Sequence, residues 1–137
     1  MRRVVRPGGR VLITTNAAGH SARLSELHAQ ACRELGYVPG QSSPERRFSL
    51  DHLPLVQSVF PNVELHHLPN AFSFPDVESA VRYYASGRVD SIERRADDVS
   101  HREPLLRRME QLVGEVVARE GVFRVPKDAG YFLATVA

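Results

Sequence analysis

The sequence predicts an α/β chain. Three observations predict it. Short runs rich in β-branched and aromatic residues, "VLITT", "NVELHHL" and "YFLATVA", are bounded by turn residues and read as strands. Segments from Ser21 to Leu35 and from Pro104 to Gly121 repeat apolar residues at helical spacing. The two kinds alternate as strand–helix–helix–strand–helix–helix–strand–strand. With 137 residues, of which 42% are hydrophobic, the chain suffices for one domain with a buried core and not for two.

Residues 1–6 read as the last turn of a helix, stopped by Pro7-Gly8-Gly9 because proline cannot continue a helix. Val11 to Thr15 is apolar and β-branched at consecutive positions, the pattern of a parallel strand covered on both faces. Ser21 is placed to cap a helix that runs to Leu35 and stops at Gly36. Leu24, Leu27, Ala31 and Leu35 are its expected core face. "VPGQSSPERR" is a loop. A short helix near Pro54 is expected to carry Leu55, Val56, Val59 and Phe60 inward.

"NVELHHL" alternates Val63, Leu65 and His67 against Glu64 and His66 and reads as a strand. Pro75-Asp76 opens a helix with the stripe Val77, Ala80, Val81, Tyr84. Residues 87–103 read as a polar, loosely held connection. Pro104 fits the first turn of the strongest helix, with Leu105, Met109, Leu112 and Val116 on one face and Gly121 at its end. "VFRV", "PKDAG" and "YFLATVA" read as a strand pair or hairpin about a turn.

Composition excludes several classes. The net charge is +2, and 17 of the 18 basic residues are arginine, interleaved with acids along helix faces rather than clustered. A nucleic-acid partner is therefore not expected. Cys32 is the single cysteine, so neither a disulfide framework nor a cysteine-rich metal site is available. No apolar run is long enough to span a bilayer, and the N-terminal arginines precede Pro7-Gly8-Gly9 where a signal peptide needs an apolar stretch. No membrane contact and a cytoplasmic location are expected.

His66 and His67 are neighbours on a strand and point to opposite faces, so they do not share one ion. His28 and Cys32 share a helix face, yet two ligands do not make a zinc site, and no metal is expected. No G-x-S-x-G nucleophile turn is present. Gly8-Gly9 precede a strand, whereas phosphate-binding glycines follow one and open a helix. Ligands of open α/β sheets bind beyond the carboxyl ends of strands. There Thr15, Asn16 and His20 offer hydroxyl, amide and imidazole groups to a substrate, and the His20 imidazole can accept a proton. The competing reading is that Asn16 turns the chain and His20-Ser21 caps the helix. Tyr84 belongs to the core stripe. Tyr83, about 100° away, is a candidate pocket residue. No catalytic residue is assigned.

"RRVVRPGGRVLITT" resembles the segment of class I S-adenosylmethionine-dependent methyltransferases in which a helix ends in a Leu/Val-x-Pro-Gly-Gly turn and enters the fifth strand. "RFSLDHL" is similar to the segment before the sixth strand, "PDVESAVRYYASG" to a helix inserted as substrate cover, and "GVFRVPKDAGYFLATV" to the closing seventh strand. The resemblance implies a partial Rossmann-like methyltransferase fold: fifth to seventh strands with flanking helices, one domain over 1–137, and 75–121 as a helical substrate-cover insertion. It also implies a departure. The family's glycine-rich loop and ribose-binding acid belong to the N-terminal cofactor-binding half, and no position here inherits them. S-adenosylmethionine is the implied cofactor of the intact family and is not expected to bind this chain alone. On this reading Met1 falls partway along the helix before the fifth strand and is an internal methionine taken as a start.

Two functions from different classes follow. The chain is the C-terminal portion of a methyltransferase acting on a small molecule, not catalytic by itself, with Thr15, Asn16, His20 and Tyr83 as substrate contacts. Alternatively it is a non-catalytic interaction or complementing module. "VLITT" without its fourth-strand neighbour would leave an open edge, inviting self-association or a chain that supplies the N-terminal half.

Overall fold

The computed structural model describes residues 2–40 and 47–137, so part of the expected loop at 38–47 and Met1 lie outside the described residues. The chain is mixed α/β. Its elements are β1 (Arg10–Asn16), α1 (Ala22–Leu35), α2 (Leu53–Val59), β2 (Val63–Leu68), β3 (Ala71–Phe74), α3 (Val77–Ala85), α4 (Arg102–Glu120), β4 (Phe123–Pro126) and β5 (Ala129–Thr135), with short 3-10 turns at Arg2–Val4, Leu50–His52 and Arg88–Asp90. They divide into two compact units. One takes the described residues of Met1–His20, Ser43–Ala71 and Pro126–Ala137, and the other takes Ser21–Ser42 and Phe72–Val125.

The first unit is a three-stranded sheet in the order β1-β5-β2. The last strand is central and antiparallel to both neighbours. Leu12 lies opposite Leu133 and Ile13 opposite Phe132, while Glu64 faces Leu133 and Leu65 faces Phe132. On one face Val11, Phe132, Ala134 and Val136 pack with Leu50, Val56 and Phe60 from the 3-10 turn and α2. Gly130 is required by close approach: a Cβ there would stand 2.2 Å from the His66 carbonyl oxygen.

Three expectations change here. The "VLITT" strand is neither parallel nor covered on both faces. It pairs antiparallel with β5, and Arg10, Leu12 and Thr14 are exposed. The apolar run reads as a doubly buried strand only if layers flank it on both sides, and the described residues of this unit supply one. Of the four residues expected to point inward, only Val56 in α2 and Phe60 just after it do so, four residues apart, while Leu55 and Val59 sit about 100° away and are exposed. The tail is not a hairpin, for β4 and β5 belong to different sheets. Pro126 lacks a donor, and the Lys127 N–H donates instead to the Asn70 carbonyl at 2.8 Å.

The second unit packs α1, α3 and α4 with the strand pair β3-β4. Strand β3, "AFSF", was not expected. It is short, and its aromatic residues follow a proline and an asparagine that hide it. Leu105, Met109, Leu112, Val113 and Val116 of α4 form the centre, as the spacing predicts. Helix α1 starts and stops where expected, but its buried face is Leu24, His28, Ala31 and Cys32, and Leu35 in the last turn is exposed. Ser21 precedes α1 in a left-handed conformation with no side-chain cap. The Asp76 side chain does cap α3, accepting from the Ser79 N–H at 2.7 Å. Among the described residues no helix is long and apolar enough to cross a membrane.

Candidate functional site

The first unit brings three of the four candidate residues to the carboxyl end of β1. The Thr15 hydroxyl donates to the Phe48 carbonyl at 2.7 Å. Asn16 ends the ladder opposite Ala129, and the Ala17 N–H donates to the Asp128 carbonyl at 2.9 Å. His20 Nδ1 lies 3.0 Å from the Ala17 carbonyl oxygen. A carbonyl only accepts, so Nδ1 carries the proton and Nε2 is the basic nitrogen of the neutral ring. The turn at 17–20 closes on itself, since the His20 N–H also donates to Ala17 O at 3.2 Å. A half-exposed imidazole of fixed tautomer at a strand end has the chemistry of a proton acceptor.

Tyr83 belongs to the second unit. Its ring meets Phe72 edge-on at 5.2 Å and lies 5.3 Å from Phe74, whose ring stacks on Phe123 at 6.2 Å. It is part of an aromatic cluster between α3 and the strand pair, with its ring half-buried.

The strand-to-helix turn after β1 carries one glycine, Gly19, and a Cβ there would meet nothing within 4 Å. Strand β2 is followed by Pro69-Asn70, and the Asp128 carboxylate accepts from the Asn70 N–H at 3.2 Å. The described residues also contain no group of three or more potential metal ligands. His66 stacks on Tyr131 at 4.6 Å and its Nε2 lies 3.2 Å from Glu64, while His67 occupies the other face of the strand, as alternation requires.

Two polar clusters of the second unit were not legible as such in the sequence. The first is around His28. Its Nε2 donates to the Ser91 carbonyl at 2.8 Å, so its Nδ1 accepts from the Tyr84 hydroxyl at 2.7 Å. Burial pushes the His28 pKa down and those of Tyr84 and Cys32 up, so all three stay neutral. The spacing of His28 and Cys32 on one face gave the only signal, and the cluster is packing.

The second cluster gathers on Asp90. His101 Nε2 donates to Asp90 Oδ1 at 2.9 Å, and the Arg102 guanidinium donates to Oδ2 and, at 2.9 Å, to the Ala85 carbonyl. Burial acts to raise the Asp90 pKa, but the bonds from Arg102 and His101 prevail and hold it low. The segment after it is organised rather than loose. Arg94 donates to the carbonyls of Arg95, Ala96 and Asp98 at 2.9 to 3.1 Å. An imidazole bonded to a carboxylate has the form of a general-base pair. Here His101 is 1% exposed, so no substrate reaches it, and the pair ties α4 to the turn at Arg88–Asp90.

The remaining feature is the free side of β1. Among the described residues no strand lies along it. Leu12 is 59% exposed and Leu68 55% exposed, on the sheet face that also carries Tyr131 and Leu133. No protein-family model matches the chain, and no curated protein does.

Proposed function

We propose that the chain is the C-terminal portion of an S-adenosylmethionine-dependent methyltransferase acting on a small molecule, and that it is not catalytic by itself. One observation carries this. β1, from the segment that resembles the entry to the fifth strand, and β5, from the segment that resembles the seventh, lie side by side, with β2, the first strand after "RFSLDHL", on the other side of β5. On this reading the strand end that carries Thr15, Asn16 and His20 borders the methyl acceptor, with Thr15 and Asn16 on opposite faces of β1; Tyr83 belongs to the substrate cover, and the protein works in the cytoplasm. No step of methyl transfer is assigned to these residues alone.

The open edge of β1 favours a second reading, a non-catalytic interaction or complementing module that pairs through that edge. One experiment separates the two. The DNA upstream of the Met1 codon is read, and calorimetry with S-adenosylmethionine is run on the 137-residue chain and on any longer chain the frame encodes. The methyltransferase reading expects an upstream frame encoding a glycine-rich strand–loop–helix, binding by the longer chain, and none by this one. Micromolar binding by this chain, or an upstream sequence with no such frame, overturns it.

A further inference from the structure

We propose that two copies of this chain pair through β1, edge to edge and antiparallel, across a twofold axis at Ile13. The two three-stranded sheets then become one. The inference uses only the geometry of the first unit and concerns the 137-residue chain; a longer chain that supplies β1 with a second neighbour would fill the same edge.

The backbone of β1 sets the register. The Ala17 N–H donates to the Asp128 carbonyl, and the Val136 N–H donates to the Gly9 carbonyl, both at 2.9 Å. In an antiparallel ladder bonded and unbonded pairs alternate. Val11, Ile13 and Thr15 are in step with Gly9 and Ala17, so they spend their backbone groups on β5. Arg10, Leu12, Thr14 and Asn16 aim their N–H and C=O groups off the sheet. An antiparallel copy with Ile13 opposite its twin sets Arg10 against Asn16 and Leu12 against Thr14. Every one of those outward groups is then bonded. A shift by two residues leaves one end of each strand unpaired, and a shift by one sets the covered face against the open face.

The side chains agree with this register. Arg10 is the only charged residue of β1, and it meets a neutral amide rather than itself. Ile13 meets Ile13 on the covered face, beside Val11 and Phe132 of each core. On the open face Leu12 and Leu133 of one copy come beside those of the other. Edge strands that must stay single carry prolines, bulges or charged side chains; β1 has no proline or bulge, and its one charge, Arg10, stands at its first position. A twofold contact of this kind is self-complementary and closes at two copies.

The test uses the full chain. Sedimentation across a wide concentration range is expected to show a monomer–dimer equilibrium. The central pair is an unbonded one, with Cα atoms about 4.5 Å apart, within the span of a disulfide. Ile13→Cys is therefore expected to cross-link two chains on mild oxidation, whereas Arg10→Cys, which faces Asn16, is not. The native Cys32 is buried and does not compete. Leu12→Pro removes an outward N–H and no bond to β5, so it is expected to sediment as a monomer with an unchanged circular-dichroism spectrum. Thr14→Pro, equivalent in geometry, replaces it if Leu12→Pro loses that spectrum. A wild-type chain that stays monomeric throughout overturns the proposal. So do species larger than a dimer, proline variants that remain dimeric, or equal cross-linking at positions 10 and 13. None of these outcomes bears on cofactor binding by a longer chain.

Discussion

The two units spend their polar groups in opposite ways. In the second unit they turn inward: His28 bridges Tyr84 and Ser91, and Asp90 gathers His101 and Arg102. In the first unit the polar groups stand at strand ends and along a free edge, while Leu12 and Leu68 turn outward. Buried polar groups that are bonded specify one arrangement of a core, though His101 Nδ1 is buried with no hydrogen-bond partner among the described residues. Unbonded edge groups specify a partner. The first unit is thus the one built to meet something, and the second the one built to hold itself.

The largest way to sharpen that contrast lies within the first unit. Phe132 is fully buried on the central strand. Phe132→Ala is expected to cost about 3–5 kcal/mol in urea unfolding, since the cavity it leaves adds to the lost burial. A loss under about 1 kcal/mol would mean that the covered face is not a packed core.

Next in size is the polar clamp. Tyr84→Phe removes the hydroxyl that donates to His28 Nδ1 and leaves that buried acceptor only the Cys32 thiol, a weak donor, at 3.9 Å. The expected cost is about 1–3 kcal/mol. Replacing both partners, as in Tyr84→Phe with His28→Leu, is expected to cost less than the sum of the two single changes, because no buried group is then left unbonded. Additivity would show that the two side chains do not act as a unit.

The second unit should also be the one that acid loosens, in two steps. Burial lowers the His28 pKa, and the Ser91 carbonyl opposes this without prevailing. The unfolded chain then binds more protons than the folded one between the lowered value and the ordinary value of about 6.5. Stability from this group is complete above about pH 6.5 and is lost as pH falls through the folded value. Asp90, also held low, keeps its contribution until pH drops below the ordinary aspartate value of about 3.9. Unfolding midpoints measured from neutral to acid should fall in these two windows. His28→Gln should flatten the first, and Asp90→Asn should lessen the second without removing it, since hydrogen bonds also hold Glu34, Asp76, Asp98 and Glu120 low. A first window unchanged in His28→Gln would remove the buried imidazole as its cause.

Element type was legible wherever a long period or a turn residue marked it. Residues 102–120 repeat apolar positions through five turns, and Gly36 and Gly121 end α1 and α4 as expected. Strand β3 was not legible, for four residues carry no period. The pairing of the last strands was not legible either, because a turn residue marks where a chain bends and not which strand it then joins. At the candidate site the sequence placed Thr15, Asn16 and His20 at one strand end, since position along a strand is a local property. It did not show Asp90 meeting His101 and Arg102, eleven and twelve residues away. Those residues lie in a stretch whose charges read as solvated.

The smallest expected effect is the most telling about the open face. Leu12 points away from the covered core and is mostly exposed. Leu12→Lys is therefore expected to change the stability of the unassociated chain by less than about 0.5 kcal/mol, the range of surface substitutions. The same charge is a common guard on natural edge strands. It should lower the concentration dependence of sedimentation and the binding of a hydrophobic dye, both of which read the apolar face rather than the fold. If Leu12→Lys instead lowers the urea midpoint as Phe132→Ala does, Leu12 is part of a core, and the contrast between a closed second unit and an open first unit fails at the residue that defines it.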